Sequence, residues 1–271
     1  MVNLFKADLF RVLRTKIVYI SLIVAAGLPL FMTGVFALTD LAASSLTDPS
    51  ATTVTTAYGD TLLSNTFSPV MSFSFVFAIF PVIVIMMDFG NGTIRNKVIH
   101  GYTRHQIFAA HFLMTLLYAF VITAVYVVIN TICAVFILKV SPIDSSMVPI
   151  YLIYYLVGFL GVVLIAAIGC GLALSLLNAG AIILTVVGVL FFNYMGTLLE
   201  LVLHLNHVSN PEFVLCFFPS YFTTSLSTMM AMQISTGVEV WMVLEAVTGI
   251  ALISGGFYAL GTFVFHERDF K

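Results

Sequence analysis

Two long apolar runs, residues 67–87 and 107–138, flank one short polar stretch, 88–104, which reads DFGNGTIRNKVIHGYTR. A bilayer core takes about 20 apolar residues per helix, and each flank can supply them. The runs therefore cross a membrane, and the polar stretch turns the chain around between them. Further apolar runs occupy 17–38, 148–177, 181–203 and 241–265. Charged residues make up only 8% of the chain, against about 25% in ordinary soluble domains. The expected fold is all-α and integral to the membrane, one domain over residues 1–271 with six transmembrane helices.

The basic residues orient this arrangement. Lys6, Arg11, Arg14, Lys16, Arg95, Lys97, Arg104, Arg268 and Lys271 fall on one side of the six spans, and Lys139 on the other. Lys and Arg concentrate in cytoplasmic loops, so both termini and the 88–104 stretch are expected inside a plasma membrane. The 39–66 loop holds Asp40, Asp48 and Asp60 but no basic residue, which suits the outer face. The net charge of −2 is uninformative about nucleic acid, but the lack of a basic patch to track phosphates argues against such a partner.

The polar stretch has an internal order. Gly90, Asn91 and Gly92 signal a turn, because glycine and asparagine tolerate positive φ. Thr93 can cap a short helix with its hydroxyl. Ile94 and Val98 fall four apart on one face, leaving Arg95, Asn96 and Lys97 the rest. Gly101 suits the left-handed position past a helix end. Thr103 and Gln106 fit a capping box that opens the next span. The alternative is a charged loop that only follows the positive-inside bias.

On these residues the chain resembles the ABC-2-type transporter permeases. The run 92–97, then Gly101, Thr103, Arg104, Ile107 and Phe108, is similar to that family's first cytoplasmic loop. Asp88 can fill the acidic position that precedes the family's glycine-threonine pair. One departure is His111, where the family often has a lysine. The resemblance implies a coupling helix that docks on a separate ATPase, with Asp88, Gly92, Thr93, Arg95, Lys97, Gly101 and Arg104 as the coupling residues. It also implies an N-terminal elbow helix, re-entrant outer helices between the fifth and sixth spans, and a second permease copy or a similar chain as partner.

Residues 1–16 read independently as an interfacial helix. Phe5, Leu9, Val12 and Leu13 recur at helical spacing, with Lys6, Arg11, Arg14 and Lys16 turned to lipid headgroups. A signal peptide is the alternative, but the run that follows is too long for one. Pro29 is expected to kink the first span, and Pro81 the second, as a static bend or a hinge. The third run is long enough to project or to be distorted around Asn130. Gly158, Gly161, Gly169 and Gly171 are read as helix contacts first and hinges second. The 204–240 segment, with Pro211, Pro219 and many aromatics, is expected to dip into the outer interface.

Other chemistries find little support. The chain lacks a Gly-x-x-x-x-Gly-Lys-Ser/Thr loop, so ATP and magnesium are expected on a partner subunit and no cofactor in this chain. Cys133, Cys170 and Cys216 have no metal or disulfide spacing. His204 and His207 form a possible metal pair without a third ligand, or ordinary interfacial histidines. Glu200 and Glu245 lie near span ends, which disfavours a proton- or sodium-coupled carrier. The expected function is the permease subunit of an ATP-driven exporter of an amphipathic or lipophilic cargo, such as an antimicrobial or toxin peptide or a drug-like molecule. A membrane structural or regulatory protein without transport is the alternative.

Overall fold

The computed structural model describes residues 2–44, 66, 74–137, 148–176, 180–206, 212–215, 217–218 and 240–267. Among these residues the protein is helical nearly throughout and has no strand. In chain order the helices are α1 (Val2–Leu13), α2 (Lys16–Ser44), α3 (Ser74–Gly90), α4 (Thr93–Ile99), α5 (Arg104–Ile132), α6 (Val148–Leu176), α7 (Gly180–Leu205), α8 (Glu212–Leu215) and α9 (Val240–Glu267). Five of them, α2, α5, α6, α7 and α9, are long and apolar enough to cross a membrane. The protein is thus a multi-pass helical membrane protein. The expected re-entrant helices fall on residues that, apart from α8 and 217–218, lie outside the described ones. His207, the 177–179 turn, the 268–271 tail and most of the 39–66 loop lie outside them too.

Helix α6 is the centre, packed against α9, α3, α5 and α7. Its sequence is apolar all the way round, the pattern of a helix buried on every side. Tyr154, Val157, Leu164, Ala167, Cys170 and Leu174 are all within 1% of full burial. Gly158, Gly161, Gly169 and Gly171 are buried as well, which supports their reading as contacts. Gly171 shows why: a Cβ added there would lie 3.1 Å from the Phe257 carbonyl of α9. Across that contact, Gly261 of α9 lies beneath the Phe108 ring of α5.

The first candidate span, Lys16–Thr39, agrees with the apolar run 17–38, although helix α2 itself continues through Ser44, since ALTDLAAS contains no glycine or proline to end it. Two local features differ from expectation. The distortion of the third run does not centre on Asn130. It follows that residue, as a π-helical turn at Cys133–Ile137. Thr93 caps nothing: α4 begins at Thr93 itself, after Gly92 in the left-handed conformation at φ 65°.

The other boundary signals hold. Thr103 Oγ1 accepts from the Gln106 amide at 3.3 Å, and Gln106 Oε1 accepts from the Thr103 amide at 3.2 Å. This is the reciprocal box that satisfies two orphan amides at a helix start. Gly101 has φ 86°, where only glycine is unstrained. The Tyr102 amide donates to the Lys97 carbonyl at 3.2 Å and the Gly101 amide to Val98 at 3.0 Å, the paired bonds of a Schellman stop. Helix α4 is therefore a defined object with a left-handed glycine at each end.

Candidate functional site

The site lies at the end of the bundle where α1, α4 and the ends of α3 and α5 meet. It is built on the buried stripe of α1: Leu4, Asp8 and Val12, four residues apart, all face inward. An acid in that stripe needs a partner, because a lone buried charge costs several kcal/mol. Lys97 of α4 supplies it, with Nζ 2.7 Å from Asp8 Oδ1 and 2.8 Å from Oδ2. One turn along α1, Arg11 reaches Asp8 at 3.4 Å and pairs closely with Asp88 at the end of α3.

His111 completes the cluster from the first turns of α5. Its Nε2 is 3.3 Å from Lys97 Nζ, and its Nδ1 is 3.6 Å from Asp88 Oδ2. An ammonium can only donate, so Nε2 must accept, and the ring proton sits on Nδ1, facing Asp88. Two carboxylates, a guanidinium and an ammonium thus balance around a neutral imidazole. Burial pushes the Asp88 carboxyl above its ordinary range, against the opposing pull of Arg11 and Lys97. A cavity of about 20 Å³ adjoins the cluster, lined by Asp8, Arg11, Asp88 and His111 together with Pro81 and Tyr118. A water needs about 10–15 Å³, so the cavity has room for one.

The expected coupling residues divide into two groups. Asp88 and Lys97 are drawn into the buried cluster, while Arg95 stays exposed on α4. Arg104 sits in the first turn of α5 and donates to the His266 carbonyl at the end of α9. Gly92 and Gly101 shape the two ends of α4, and Thr93 only opens it.

Two sequence readings are corrected here. Lys97 does not belong to an outward basic face, since it is 8% exposed beside buried Ile94. Val98, read as Ile94's partner in the buried face, is 37% exposed, and Ile99 is 70% exposed. The buried positions are 94 and 97, three apart, because Asp8 offers Lys97 a better partner than water does. Arg11 likewise does not turn to headgroups but toward Asp88. Lys6 and Arg14 remain exposed, with Arg14 stacked over Phe10 at 4.1 Å.

Asp8, Arg11 and His111 are the cluster members that sequence reasoning did not assign to the site. The signal for Asp8 is its place in the Leu4–Val12 stripe, where an acid is unusual. His111 carries no such local signal. Among the described residues, no three His, Cys, Asp or Glu side chains converge as metal ligands. The sequence matches no protein-family model and no curated protein.

Proposed function

We propose that this chain is the membrane-embedded permease subunit of an ATP-driven exporter of the ABC-2 type. The observation that carries the reading is α4. It is a seven-residue helix set off by a left-handed glycine at each end, and anchored from beneath by Lys97. Its outer surface combines Arg95 with the exposed apolar side chains Val98 and Ile99. A turn that merely satisfied charge bias would need neither shaped ends nor a buried anchor. A helix that receives a push from a partner needs both, because its direction must be fixed before contact.

In this reading α3 belongs to a sixth span, the 67–87 run of the sequence. Both termini and α4 face the cytoplasm, as the placement of the basic residues demands. A separate ATPase binds the outer face of α4 and supplies ATP and magnesium, and a second permease completes the pathway. The aromatic and methionine content with little intramembrane charge suits an amphipathic or lipophilic cargo.

Sidedness tests the reading. With Asn96→Cys, an impermeant thiol reagent is expected to label α4 only after cells are permeabilised, while Ser45→Cys labels in intact cells. Labelling of Asn96→Cys in intact cells would put α4 on the face where no cytoplasmic ATPase can reach it.

A further inference from the structure

We propose that α1 and α4 move as one unit, joined by the Asp8–Lys97 pair, so that displacement of α4 is delivered to the first span through α1. Only the origin of that displacement rests on the exporter reading. Lys97 is then a positioning residue of α4 and not a docking contact.

The connection can be followed atom by atom. Of the α4 side chains, Ile94 and Lys97 are buried. Ile94 belongs to the same apolar cluster as Leu4 of α1, together with Val82, Ile85, Ile107 and Phe108. Lys97 holds both oxygens of Asp8. The helix is therefore held on its buried side by an apolar cluster shared among α1, α3 and α5 and by an ionic grip on α1. At each end of α4 a glycine with positive φ forms the joint. Without the Lys97 grip, α4 would keep its packing on α3 and α5 but lose its ionic tie to α1.

The second half of the path is the corner between α1 and α2. Only Arg14 and Thr15 separate them. The Arg14 amide donates to the Arg11 carbonyl at 3.1 Å, the Thr15 amide to Val12 at 2.9 Å, and the Val18 amide to Thr15 at 3.2 Å. The Thr15 hydroxyl also donates to the Val12 carbonyl at 2.7 Å. Val12 and Val18 pack together with Met114 of α5. One turn further, the Ser21 and Tyr118 hydroxyls share a hydrogen bond at 2.5 Å. A corner bonded at each step cannot absorb a shift of α1, so α2 receives it.

The experiment uses the full chain in lipid nanodiscs, with Cys216→Ser and spin labels on Asn96→Cys in α4 and Phe10→Cys in α1; Cys133 and Cys170 are buried. Pulsed electron–electron distances between the labels are expected to form one narrow distribution. Lys97→Met should replace it with a broad one, Asp8→Asn should do the same from the other side, and Lys97→Arg should keep it narrow. A second pair on Tyr19→Cys and Phe263→Cys, both exposed, reports the bundle itself and should stay unchanged in every variant. Should Lys97→Met not fold, Asp8→Asn carries the test. A narrow α1–α4 distribution in either folded uncharged variant overturns the proposal, as does equal broadening of the control pair. No nucleotide or partner is present, so the outcome is independent of whether the chain belongs to an exporter.

Discussion

Asp8→Ala is expected to destabilise the protein by about 3–5 kcal/mol, because it leaves the Lys97 ammonium buried beside His111 without its acid. Both side chains of the pair are under a tenth exposed, so bulk solvent does not replace the acid, and the one water that the adjoining cavity has room for carries no compensating charge. Removing both charges together in Asp8→Ala/Lys97→Met should recover most of the loss, since apolar replacement of a whole buried pair is often close to neutral. Arg95→Ala, on the exposed side of the same helix, should stay within about 0.5 kcal/mol of the parent. Thermal unfolding of these three variants and of Lys97→Met alone, in one detergent, checks the order and closes the cycle. A double variant as unstable as the sum of its parts would show that the pair is not a unit.

Gly261→Ala is expected to cost about 1–3 kcal/mol by overpacking. The added Cβ would fall 2.5 Å from Phe108 Cζ and 2.9 Å from Cε2. A ring can often swing away from such a contact, but this one is hemmed in. Phe108 is fully buried, and its ring meets Phe112, Tyr258 and Phe265 with centroids 6.2, 5.3 and 5.9 Å away. Retreat of α9 is the remaining response, and it would open the contact with α6 at Gly171. Phe108→Leu should therefore be less harmful in the Gly261→Ala background than in the parent. Unfolding measurements on the four proteins of that cycle give the coupling directly, and strict additivity would contradict the packing described.

Local signals in the sequence were the ones that survived. The capping box at Thr103 and Gln106 and the stop at Gly101 depend on residues within a few positions of each other, and both are present as read. The glycines of α6 were also legible as helix contacts, and all four are buried. Long-range pairing was not visible. Asp8, Asp88, Lys97 and His111 come from four separate segments, and their spacing along the chain says nothing about their meeting. The helical period around Lys97 offered two faces, 94 with 98 or 94 with 97. An aliphatic Val98 made the first look right, and Asp8 decided for the second. The π turn at 133–137 had no sequence marker beyond the excess length of its helix.

Docking of an ATPase on α4, as proposed, is tested by gentle-detergent purification of the tagged full chain. A soluble subunit bearing a Gly-x-x-x-x-Gly-Lys-Ser/Thr loop is expected to co-purify and to hydrolyse ATP. Arg95→Glu, which reverses a charge on the exposed face of α4, is expected to reduce the amount recovered while the chain remains folded. Recovery of a folded chain with no such subunit, or of the same amount from Arg95→Glu and Ile99→Asp together, would contradict docking on α4.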